Sequence, residues 1–139
     1  MRALYTAVLT VALTGVSVAF AANSFRDLNA GLTGYQEVPT LSTSGTGRFE
    51  ARINSDETAV DWRLSYDALE SPVTQAHIHF SARALNGPIV VFLCTNLGNG
   101  PAGTQACPPP PATIAGTFEA IDVLGNAAAM GLEVAILRS

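Results

Sequence analysis

The sequence predicts an all-β fold, an antiparallel β-sandwich or barrel, followed by a short C-terminal helix. Three observations carry that prediction. Downstream of Asn23, apolar residues recur with period two and not 3.6, the pattern of half-buried strands. Gly, Pro, Asn, Asp and Ser interrupt the alternation at short intervals, as turns between short strands require. The 139 residues make one ordinary domain and are too few for two comfortable ones.

The first segment lies outside that domain. Met1-Arg2 is a positive start, an uncharged stretch from Ala3 to Ala22 follows, and small residues stand at Ala19 and Ala21. A secretory signal peptide has these parts in this order, here over residues 1–21. The alternative is an uncleaved membrane anchor, since about 20 apolar residues span a bilayer. Three Thr, a Ser and Gly15 dilute the stretch, and no basic cluster follows it. The domain then comprises residues 22–139, secreted or periplasmic, and touches a membrane only if the signal is retained.

Within the domain, Leu28, Ala30 and Leu32 alternate with Asp27, Asn29 and Gly31, a strand that stops at Gly34. An irregular connection runs through Gln36-Glu37-Val38-Pro39 to Gly45. Phe49, Ala51 and Ile53 alternate with Arg48, Glu50 and Arg52, and Asn54-Ser55-Asp56 makes a turn. The return strand sets Val60, Trp62, Leu64 and Tyr66 against Asp61, Arg63, Ser65 and Asp67, completing a hairpin packed on one side. Trp62 is expected in the core. A strand from Val73 to Ser81 follows, then the turn Asn86-Gly87-Pro88. Ile89 to Cys94 is continuously apolar and reads as a central strand covered on both faces. Pro108 to Pro111 cannot join a ladder and lies extended, and Ile114 to Val123 is one more strand. Ala127 to Leu137 reads as a helix, with Met130, Val134 and Leu137 on one face. It ends without a cap, which marks a truncated domain or one completed by another chain.

Composition excludes several functions. The 7 Lys+Arg, all of them Arg, against 11 Asp+Glu give a net charge of -4, so there is no basic stripe for nucleic acid. Without Lys there is no phosphate-loop lysine and no Schiff base. No G-x-S-x-G occurs. Gly45-Thr46-Gly47 reads as a strand entry, and Asp56-Glu57 as solvated turn charge.

Two features could carry structure or chemistry. Cys94 and Cys107 are the only cysteines, and in an oxidising compartment they form one disulfide across a loop rich in Gly, Pro and Asn. Metal ligation or free thiols are the other possibilities. Both histidines lie in Gln75-Ala76-His77-Ile78-His79-Phe80. On a strand, His77 and His79 project from one face, leaving Ile78 and Phe80 on the buried one. Such a pair can offer two imidazoles to Cu or Zn. A stable site needs further ligands, from Glu37, Asp67, Cys94, Cys107 or a symmetry mate. The plain alternative is two rings hydrogen-bonded on a polar sheet face.

The string Leu32 to Pro39 (LTGYQEVP), Gly47 opening a strand, Ala76-His77-Ile78-His79, and Asn86-Gly87-Pro88 before Ile89 to Leu93 together resemble the CHRD domain, named for its occurrence in chordin. The resemblance runs from Leu28 to Val123. It implies an exported, immunoglobulin-like β-sandwich, no catalytic activity, and a characteristic His pair at His77 and His79. The family's closing strands, with V-x-V-H-T-like and G-G-E-I-R-G-like strings, have no counterpart here. The expectation is therefore a non-enzymatic binding or structural module, its partner an envelope or extracellular protein offering a strand to the unfinished sheet. The rival is a copper- or zinc-binding envelope protein. The His strand also resembles, more loosely, the copper-ligand strand of copper/zinc superoxide dismutase, whose chemistry needs more His than this chain has.

Overall fold

The computed structural model describes residues 26–125 apart from 83, 84 and 86. The expected signal peptide (1–21), the C-terminal helix (127–137) and Asn86 lie outside the described residues. Six strands are present: β1 (Arg26–Thr33), β2 (Thr46–Ile53), β3 (Ala59–Asp67), β4 (Gln75–His79), β5 (Ile89–Thr95) and β6 (Ala112–Glu119). They form a four-stranded antiparallel sheet in the order β1-β2-β3-β6, and a two-stranded antiparallel sheet of β4 and β5. One apolar core joins the sheets, so the fold is the expected all-β sandwich.

The β2–β3 hairpin behaves as its alternation dictates. Val60, Trp62, Leu64 and Tyr66 are buried, and cross-strand pairing puts Ala51 opposite Trp62 and Ile53 opposite Val60. The turn is held by Asn54, whose Oδ1 accepts from the N–H groups of Thr58 (2.8 Å) and Ala59 (3.2 Å). Trp62 lies flat on Gly116 of β6, its cross-strand partner. A Cβ at Gly116 would come within 2.9 Å of the indole, so only glycine lets the ring settle there.

Three elements differ from expectation. β4 is shorter than Val73 to Ser81, with register shifts between Ala76 and His77 and between Ile78 and His79. Phe80 falls past its end and is 42% exposed, so it is not on the buried face with Ile78. β5 is buried as predicted, but among the described residues β4 is its sole strand neighbour. Its cover comes from irregular chain, through Thr95 N–H to Gln105 O (2.9 Å) and Leu124 N–H to Val90 O (2.9 Å). β6 stops at Glu119, whose N–H bonds Asp122 Oδ2 (2.8 Å) and starts a 3-10 turn over Ala120–Asp122. That local side-chain bond ends the ladder before Val123.

The sandwich is lopsided. The core is built on β3, β5, β6 and the end of β2. Pairing puts Leu28, Ala30 and Leu32 of β1 on the same face as Ala51, Phe49 and Gly47, the inner face. Yet Leu28 and Leu32 are 43% and 41% exposed. The two-stranded sheet does not reach over β1.

Candidate functional site

The sequence placed its chemistry on β4, and β4 does bring the two imidazoles together. The ring centroids of His77 and His79 are 4.5 Å apart, edge to face at 80°. Phe92 of β5 meets the His77 ring at 5.8 Å. Nδ1 of His79 lies 2.7 Å from Gly87 O; a carbonyl only accepts, so Nδ1 carries the proton and Nε2 its lone pair. His77 has its pKa pushed down, first by burial and then by the neighbouring His79 charge, while Glu37 pulls it back up.

The further ligands are not assembled. Cys94 and Cys107 form a disulfide, Cα to Cα 5.1 Å, so neither thiolate is available. The Asp67 carboxylate accepts from the Ala68 N–H (2.6 Å) at the end of β3. Glu37 is the carboxylate whose charge reaches His77. Among the described residues no group of three or more His, Cys, Asp and Glu converges as a metal site would need.

The second candidate lies on the opposite flank of β4. A groove of about 320 Å³ runs between β4 and the inner face of β1–β2. Leu32, Leu41, Leu64, Tyr66, Leu69 and Val73 supply apolar wall, and among the described residues Glu37 is the one charged group lining it. The connection from β1 to β2 shapes its rim. Gly34 is buried there because a Cβ would strike Leu41 O at 2.6 Å, and its carbonyl accepts from Leu41 N–H at 2.8 Å. Glu70 ties this connection down, accepting from Thr43 Oγ1 (3.0 Å) and Ser44 N–H (3.3 Å). Tyr66 is fixed by donating its hydroxyl to Pro108 O at 2.6 Å, and burial raises its pKa.

The CHRD domain matches the chain over residues 28–134, most of its length. The chain belongs to the CHRD domain family. No curated protein and no solved structure matches it. The match reaches eleven residues beyond Val123, where the resemblance in the sequence was taken to stop. Both halves of the motif that carries it flank the groove: Leu32 to Pro39 forms the rim, and Ala76 to His79 lies on β4.

One residue that organises this CHRD domain went unnoticed in the sequence. Asn96 donates from Nδ2 to Val73 O (2.8 Å) and to Cys107 O (2.8 Å), and its Oδ1 accepts from Cys107 N–H (3.0 Å). Its own N–H bonds Thr74 O at 2.7 Å. It therefore ties the disulfide loop to the start of β4, and so sets where β4 stands over the groove. The only hint in the sequence is its place at a strand end beside Cys94. The outer face of the four-stranded sheet is polar, with Arg48 on Glu50 and Arg52 on Asp27, each at 2.8 Å. These pairs are well exposed, and such pairs contribute little.

Proposed function

We propose that this CHRD domain is an exported, non-enzymatic binding module that receives an envelope or extracellular protein on its open side. The observation that carries this reading is the apolar groove beside β4, with Leu32 and Leu41 left exposed along it. Contiguous exposed apolar surface on a soluble domain marks interaction sites more often than accident. The Cys94–Cys107 bridge and the signal-like residues 1–21 support export to the periplasm or beyond. A photo-crosslinking residue at Leu41, compared with one at Thr113 on the outer face, tests it in exporting cells. A discrete adduct from Leu41 alone is expected; adducts from neither position, or equally from both, overturn the reading.

A second reading is a copper or zinc site on His77 and His79. It is favoured by the 4.5 Å ring separation and by the hold of Gly87 O on Nδ1 of His79, which fixes that ring. Two imidazoles with Glu37 within electrostatic reach make a plausible donor set for either ion. Calorimetric titration of Cu and Zn into the wild type and into His77→Ala/His79→Ala decides it. Identical heats end the metal reading.

A further inference from the structure

We propose that the groove takes a single extended peptide strand from its partner. That strand pairs with the edge of β4 that no described strand covers, turns alternate apolar side chains onto Leu32, Leu64 and Leu69, and sets a basic side chain on Glu37. This rests on the binding-module reading and names the chemistry of the ligand.

The backbone argues for a strand. β4 is bonded to β5 on one side only, and no backbone hydrogen bond from Gln75 to His79 reaches the other side among the described residues. An occupant that buries the groove also takes that edge out of water. Its N–H and C=O groups then need partners, or each is left unsatisfied at a cost. A helix or an acyl chain cannot supply them; an added strand does, and gains side-chain specificity from alternate positions. The walls offer apolar positions at Leu32, Leu64, Leu69 and Val73 and polar ones at Glu37, Thr43, Thr46 and Gln75. Charge sets the sign. Glu37 is the sole charged lining residue among those described, the nearby Glu70 is a second carboxylate, and the chain as a whole carries -4. A cationic residue on the strand is therefore favoured and an anionic one opposed.

The test uses a labelled, capped octapeptide of alternating valine and threonine with one lysine, titrated into the purified full chain and followed by fluorescence anisotropy. Binding is expected to weaken about tenfold when the edge-facing peptide nitrogens are methylated, and similarly in Leu32→Asp. Glu37→Lys should reverse the preference, so that a glutamate peptide binds better than the lysine one by about fivefold or more. Leu32 and Glu37 are exposed, and unchanged thermal unfolding verifies that each variant folds. No binding by the wild type, or equal binding of the methylated peptide, overturns the strand. Sedimentation showing a dimer that excludes the peptide assigns the groove to a second copy. Slow exchange, in the free chain, of the β4 amides that point away from β5 assigns it to the chain's own termini. If the Leu41 crosslink persists while the peptide fails, the binding module stands and the strand falls; if both fail, both fall.

Discussion

The two flanks of this sandwich are made of similar residues and come out differently. On the flank of β3, β5 and β6, Val90 and Cys94 are fully buried and Ile53 is 1% exposed. On the flank of β1 and β4, leucines with the same inward register stand about two-fifths exposed. Hydrophobicity alone does not separate them. What separates them is cover: irregular chain from the disulfide loop and from beyond β6 lies against β5, and no described segment pairs with the far edge of β4. One flank is closed and the other, among the described residues, is left open.

Substitutions break that comparison most directly. Ile53→Ala should cost about 3–4 kcal/mol in chemical denaturation, because a fully buried side chain leaves a cavity. Leu32→Ala, of the same chemistry on the open flank, should cost about 1 kcal/mol or less. Equal losses would show that the open flank is covered in solution. Next, Cys94→Ser/Cys107→Ser should cost about 3 kcal/mol, by freeing the loop in the unfolded chain. Reduction by thiol should do the same to the wild type.

Asn96→Ala comes third, at about 2 kcal/mol, because it leaves the Cys107 N–H and two carbonyls without partners. It also sharpens the comparison, since it loosens β4 from the covered flank. Amide exchange should quicken at Thr74 and Gln75 more than at Val90; uniform quickening would deny Asn96 that local role. The smallest effect concerns pH. His77 has a folded pKa below its ordinary 6.5, so the unfolded chain takes up the proton first. The stability it lends is present above that ordinary value and lost as pH falls through the folded one. The melting temperature should drop on acidification below pH 6.5, and His77→Gln should flatten the drop.

Much of this was legible in the sequence, and particular residues show where it stopped. The Val60 to Asp67 alternation could be read directly because one face meets the core and the other water. The i, i+2 spacing of His77 and His79 places both imidazoles together by strand geometry alone. Phe80 was misplaced because the strand ends one residue earlier, and β6 was read too long because Asp122 caps Glu119 by a bond that hydropathy does not register. Burial of β5 was inferred from its apolar run, yet only one of its edges is paired with a described strand, β4, and the other is met by irregular chain at Gln105 and Leu124. The groove was not visible as such, because it depends on how far one sheet extends over the other. Asn96 was missed for a related reason: its partners lie on two segments distant in sequence, Val73–Thr74 and Cys107.

The Cys94–Cys107 bridge also changes what cutting the chain can do. The loop it spans is mostly exposed and rich in Gly and Asn, an accessible target for extracellular proteases. A single cut between Asn96 and Ala106 opens the backbone but leaves β1–β5 and β6 on one covalent molecule. β6 is still laddered to β3 along its length, from Ala59 with Glu119 to Tyr66 with Ala112. A nicked protein would thus migrate as intact on a gel until thiol is added, and would keep its core.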